Sequence, residues 1–273
     1  MDYNKHFMDM AERYLDYLLN HEVLRNYLED ISIILKGSTA RGNTDQLSDV
    51  DFVIFCDPDV FQKIINDYKS LDLIKRDDGV FLPLGDWVGH YNLDTYSSLK
   101  KYMYTNNIEE IWEYSNVKIF HDPFNKYAEI NEKLKEFVLS NNIELIKERY
   151  LSLQLYIDWL RHPLKRGDYI SSQLHVANIV RQIMALCCLF DGKAYPHDKW
   201  LAYYFEKTSL GKKLKSKIDN YIKVSAEQDI KKYLELSDYF QYVEAEDMAG
   251  IVINEIRAKF GNFNWIDEWY LFT

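Results

Sequence analysis

The hydrophobic pattern changes period near residue 124. Before that point, short β-branched runs alternate with helical spacing; after it, the spacing is helical almost throughout. Residues 7–29 place Ala11, Tyr14, Leu15, Leu18 and Leu19 at i, i+3, i+4, i+7 and i+8, which predicts an amphipathic helix. ISIIL (31–35) is a short apolar run closed by Lys36-Gly37-Ser38, and its β-branching favours a strand. VDFVIFC (50–56) predicts a second strand, and 59–69 a helix opening after Asp57-Pro58. LDLIK (71–75) predicts a third strand. Residues 79–96 have β composition, with Pro83 and Gly85 marking a turn or bulge. Residues 97–115 turn helical, and 116–120 form one more strand, stopped by Asp122-Pro123. Beyond 124, helical spacing covers 125–140, 142–161, 170–190, 198–206 and most of 226–260. No Pro/Gly/Ser-rich hinge separates the halves. The expectation is an α/β domain over 1–123 packed against a helical domain over 124–273, with a cleft between them as the natural ligand site.

Charge narrows the partners. In 273 residues, 33 Lys and Arg face 43 Asp and Glu, a formal net charge of −10. A duplex needs a field of Lys and Arg, so nucleic-acid binding and tRNA tailing are disfavoured. The acidity suits a cationic partner, or a metal carried in with a nucleotide. The 22 Tyr and 6 Trp read as an aromatic helical core. Three cysteines make no disulfide framework; Cys56, Cys187 and Cys188 sit in apolar runs as small core residues of a reducing compartment. The N-terminal MDYNKHFMDMAERY has no signal pattern, and no run of about 18 apolar residues predicts a membrane span. A soluble cytoplasmic protein is expected. His162, His175 and His197 match no zinc spacing and read as core or surface histidines. Arg161–Arg166 reads as a solvated basic loop, and Lys212, Lys213, Lys215 and Lys217 as a solvated face.

The chemistry concentrates in residues 35–54, LKGSTARGNTDQLSDVDFVI. A strand ends in Gly37-Ser38 and the chain enters a short helix. Glycine lets backbone approach a ligand closely. The N–H groups of the next turn and the Ser38 hydroxyl can cradle phosphate oxygens. Asp49 and Asp51 stand two apart on a strand and share a face, while Val50, Phe52 and Ile54 point into a core. Two adjacent carboxylates repel unless a cation lies between them. Mg²⁺ takes oxygen ligands and shares them with substrate phosphates.

In that order, these residues resemble the signature of the DNA polymerase β-like nucleotidyltransferase superfamily: an apolar strand, Gly-Ser, a gap of roughly ten residues (here 39–48), then Asp-apolar-Asp-apolar. Ala40-Arg41-Gly42 and Ser48-Asp49 resemble the small bacterial members. The resemblance implies an α+β fold, a polymerase β-like domain of mixed sheet and flanking helices followed by an α-helical C-terminal domain. It implies a nucleoside triphosphate, most naturally ATP, held by Gly37-Ser38, and Mg²⁺ on Asp49 and Asp51. The family's third carboxylate completes the metal site or takes the acceptor's proton. Asp94 in Asn92-Leu93-Asp94-Thr95 resembles the acidic strand of the aminoglycoside enzymes, with Asp in place of Glu. Asp86 is the runner-up, sharing a face with His90, Asn92 and Asp94 if no break falls at Gly89. The helical half resembles the C-terminal domain of the antibiotic adenylyltransferases, from which Lys199 would reach the phosphates. Arg41 would touch phosphate or pair with Asp45. The implied reaction is transfer of AMP from ATP to a hydroxyl of a small acceptor, first an aminoglycoside-type antibiotic. The alternatives are a protein-directed adenylyltransferase of the antitoxin type and a non-catalytic nucleotide-binding regulator. Trp265, Trp269 and Tyr270-Leu271-Phe272 would dock on the chain's own core or on a partner subunit.

Overall fold

A five-stranded mixed sheet organises the first 137 residues. The computed structural model describes residues 1–76, 82–84 and 88–273. The sheet-bearing unit runs Met1–Phe137 and a helical unit runs Val138–Thr273. In chain order the first unit contains α1 (Tyr3–Asn20), β1 (Ile31–Lys36), α2 (Gly37–Arg41), β2 (Val50–Cys56), α3 (Pro58–Ser70), β3 (Leu82–Pro83), β4 (Gly89–Thr95), α4 (Tyr96–Tyr104), α5 (Ile108–Ser115), β5 (Lys118–His121) and the start of α6 (Lys126–Ser140). The strand order is β3-β4-β2-β1-β5. β2 and β4 run parallel; the other pairings are antiparallel. The two-residue β3 is an edge strand, the place where Pro83 can sit without losing a ladder bond.

Alternation along β1 and β2 sends two residue sets to opposite faces. Ile31, Ile33, Leu35, Phe52 and Ile54 share one core with Tyr14 and Leu18 of α1 and Ile64, Ile65 and Tyr68 of α3. Each such side chain contributes about 1.5–3 kcal/mol by leaving water. On the other face, the Phe55 ring meets Tyr96, Tyr114 and Tyr127 at centroid distances of 6.2, 5.5 and 5.3 Å. The Tyr127 hydroxyl and the Asn131 amide both donate to the Tyr114 carbonyl at 2.8 Å. These contacts carry α6 into the first unit, so that unit extends past residue 123, where the strand composition ends.

Three expected elements differ. The first helix ends at Asn20 and is followed by a 3-10 turn at Leu24–Asn26. Residues 71–75 are turn and bend, with Leu71 and Leu73 exposed and Asp72 at a φ of 53°. The 97–115 helix splits at Asn106, φ 49°, and Asn107 caps α5 by accepting from the Glu110 N–H.

The second unit holds α7 (Asn142–Arg166), α8 (Tyr169–Phe190), α9 (Asp198–Phe205), α10 (Ser209–Glu227), α11 (Phe240–Phe260) and α12 (Asn264–Asp267). α8 is long and apolar enough to cross a membrane by length and composition, and 61% of its most apolar window is buried inside the protein. Arg161–Arg166, expected as a loop, closes α7; Pro163 lies in its last turns and Gly167 ends it in the left-handed conformation at φ 67°. The lysine cluster lies on α10, where Lys213 and Lys217 pair with Glu255 and Asp247 of α11, and Lys215 with Glu206 and Asp219. Trp265 is buried against Tyr150, while Tyr270, Leu271 and Phe272 are exposed. Cys56, Cys187 and Cys188 are buried and unbridged, and burial pushes the Cys56 and Cys188 thiols up to about 12.

Candidate active site

The turn from β1 into α2 and the start of β2 bring the signature together. β1 and β2 pair so that Lys36 stands opposite Asp51. Gly37 follows at a φ of 75°, and a Cβ placed there would lie 2.8 Å from Asp51 Oδ2. Only glycine lets the backbone pass the carboxylate at this distance. α2 is five residues long and ends at Gly42 in the left-handed conformation, φ 68°. The 43–49 loop is tied back to it: Ser38 Oγ donates to Ser48 Oγ at 3.1 Å, and Thr39 Oγ1 to the Asp49 carbonyl at 2.7 Å. Asp49 immediately precedes β2 and Asp51 is its second residue.

β4 completes the cluster. Its parallel register sets His90 beside Asp51, with His90 Nε2 3.0 Å from Asp51 Oδ1. The ligand atoms of Asp49, Asp51 and His90 all lie within 4.8 Å of one another. Burial and the charge of Asp49 raise the Asp51 pKa above the usual carboxylate range, against the opposing pull of His90 and Lys36. Asp51 Oδ1 is buried, with His90 Nε2 beside it at 3.0 Å. A buried carboxylate oxygen in that state is stable only if a cation or proton meets it. Two carboxylates and an imidazole are a donor set that divalent cations accept, so the residues present fit a metal.

Asp94 is not part of this cluster. It pairs in register with Phe55, four residues along the strands from the Asp51–His90 pair, which is about 13 Å at ~3.3 Å per residue. Its Oδ1 accepts from the Thr95 N–H at 2.7 Å and from Ser98 Oγ at 2.6 Å. Asp94 therefore holds the entry to α4 and lies outside the Asp49–Asp51–His90 cluster, where it was expected. Asp86, the runner-up, lies outside the described residues. Arg41 bonds Glu113 at 3.0 Å and stacks over Trp112 at 4.6 Å, with 6% of its side chain exposed, and so ties α2 to α5. Lys199, in the first turn of α9, is exposed beside Trp200. Two residues escaped the sequence reading. His90 was visible only as a neighbour on the Asp94 face, and Lys36 only as the end of a strand; the register that brings both to Asp51 is tertiary information.

A family model for the nucleotidyltransferase domain matches residues 18–150, a match that supports an enzyme. A second model, for a domain of unknown function (DUF4037), matches residues 104–201. The chain is similar in fold to a nucleotidyltransferase-like protein from Exiguobacterium sibiricum, with a TM-score of 0.50 and 12% identity over 96% of this chain and 78% of that one. A spectinomycin adenyltransferase, AAD(9), from Enterococcus faecialis, solved with ATP and spectinomycin, matches with a TM-score of 0.31 and 11% identity over 89% of this chain and 98% of that one. No curated protein matches the chain.

Proposed function

We propose that the chain transfers the AMP group of ATP to a hydroxyl of a small acceptor, an aminoglycoside-type antibiotic being the first choice. The observation that carries the reading is the Asp49–Asp51–His90 cluster set against Gly37-Ser38 inside a nucleotidyltransferase domain. Asp49 and Asp51 hold a divalent cation, Mg²⁺ in the family that the signature resembles. When bound, it supplies charge stabilisation for the oxygens of the reacting phosphate. The Ser38 hydroxyl and the backbone after Gly37 hold phosphate oxygens. Lys36, beside Asp51, adds positive charge to the same place; Lys199 is proposed as a further cation for the triphosphate. The acceptor oxygen forms its bond to the α-phosphorus as the bond to pyrophosphate breaks, and the hydroxyl proton passes to water. A net charge of −10 favours an acceptor bearing ammonium groups. A cytoplasmic location suits an enzyme fed by ATP and three buried free thiols.

The experiment is mass spectrometry of hydroxylated antibiotics incubated with protein, ATP and a divalent cation. An AMP adduct on an aminoglycoside is expected. Absence of both an adduct and cation-dependent ATP binding would overturn the reading. Asp49→Ala and Asp51→Ala should each abolish transfer and cation-dependent ATP binding while circular dichroism stays that of the parent protein. Retained transfer in either would remove the proposed metal site.

A further inference from the structure

We propose that His90 is the third protein ligand of the metal site, and that its nitrogen turns the site's preference away from Mg²⁺ toward Mn²⁺. This rests on the reading of Asp49 and Asp51 as metal ligands and goes beyond it in naming the residue and the ion.

The geometry carries the assignment. β2 and β4 run parallel and in register, so the β4 position opposite Asp51 is His90. Two ligand atoms at about 2.1 Å from one ion, set at right angles, stand about 3.0 Å apart. His90 Nε2 and Asp51 Oδ1 are 3.0 Å apart, and Asp51 Oδ1 is buried. Asp49 brings its carboxylate within the same 4.8 Å span. Asp94 does not compete for this place, because it lies four residues along the strand and is engaged by Thr95 and Ser98.

The chemistry gives the metal preference. Mg²⁺ is a hard ion that demands oxygen and sheds water reluctantly. An imidazole in its shell replaces an oxygen with a weaker partner. Mn²⁺ accepts carboxylate and water as Mg²⁺ does, but as a first-row transition ion it also takes imidazole nitrogen. A site of two carboxylates and one imidazole therefore keeps its fit to a phosphate-bound divalent ion while favouring the transition ion.

The test uses the full chain and Mn²⁺ as the probe. Electron spin-echo measurements on the Mn²⁺-loaded protein should show a directly bonded nitrogen, and that signal should vanish in His90→Asp. Competition titrations should show the Mn²⁺ over Mg²⁺ affinity ratio falling by about tenfold or more in His90→Asp, with Mg²⁺ binding held or tightened. His90→Gln should lose the nitrogen signal without gaining Mg²⁺ affinity. A Mn²⁺ site with no bonded nitrogen in the parent protein, or a ratio unchanged by His90→Asp, would overturn the inference and leave Asp49 and Asp51 standing. No binding of either ion, in the parent protein as in Asp51→Asn, would overturn it together with the metal reading. The spin-echo result on the parent protein does not depend on whether a variant folds.

Discussion

A single methyl group separates a working signature from a broken one at Gly37. The φ of 75° and the 2.8 Å approach to Asp51 Oδ2 impose two separate penalties on any side chain there. The left-handed conformation costs roughly 1–2 kcal/mol for a residue with a Cβ; the clash displaces the carboxylate. Gly42 has the same conformational need, φ 68°, but nothing within 4 Å of its added Cβ. Gly37→Ala and Gly42→Ala should therefore both lower the urea midpoint, while only Gly37→Ala weakens divalent-ion binding by tenfold or more. Equal loss of ion binding in the two would show that Gly37 acts through backbone strain alone. A histidine elsewhere makes the pH prediction. His21 stacks on Tyr68 at 5.2 Å, and its Nδ1 accepts from the Val23 N–H at 3.2 Å. Burial lowers its pKa, with Glu22 opposing. The folded state thus favours the neutral ring. The stability this gives is present above the unfolded pKa of about 6.5 and is lost as pH falls toward the folded value. Between pH 7.5 and 5.5 the parent protein should lose more denaturant resistance than His21→Gln; parallel losses would assign the acid sensitivity to other groups.

At the scale of elements, Asp94 shows how a strand end can look like a catalytic position. Its two hydrogen bonds, from Thr95 and Ser98, organise the passage from β4 into α4. Asp94→Ala should cost about 1–3 kcal/mol of stability, the range for hydrogen bonds to a charged group, with turnover per folded molecule unchanged. A fall of 10²–10⁴ in kcat with unchanged melting would restore the base role. The contrast marks what the sequence could show. β1 and β2 were legible because each is a continuous apolar run bounded by Gly or Pro, long enough to be buried on both faces. Asp49 and Asp51 were legible because their spacing is local. His90 was not, because which residue of β4 meets Asp51 depends on a register set between strands 39 residues apart in sequence. α10 was missed for a different reason. Its apolar positions Leu210, Leu214, Ile218 and Tyr221 do follow helical spacing, but the lysines between them drew the reading to a solvated face. Those lysines do face outward, and their partners on α11 are the part that only the fold supplies. Residues 71–75 failed in the opposite direction. Leu71, Leu73 and Ile74 gave apolar content, but a strand needs a neighbour to pair with, and Leu71 and Leu73 remain exposed.

At the scale of the whole molecule, the two substrates of the proposed reaction carry charges of opposite sign toward a chain of net charge −10. A polycationic acceptor is drawn to that field, and a triphosphate is repelled except where bound cations and Lys36 offset it. Salt shortens the reach of both effects, since the Debye length falls from about 30 Å at 0.01 M to about 10 Å at 0.1 M. Raising ionic strength across that range at saturating divalent ion should therefore raise the KM for an aminoglycoside several-fold and leave the KM for ATP level or lower. kcat should hold, because the chemical step lies inside a site whose groups are within a few ångströms of one another. An uncharged hydroxylated acceptor run in parallel should show a flat KM. If the aminoglycoside KM is also flat, the acidity of the chain plays no part in choosing its acceptor, and charge ceases to be an argument for a cationic substrate. A rise confined to the cationic acceptor would make electrostatic attraction part of its recognition and direct the search for its contacts to the chain's unpaired carboxylates.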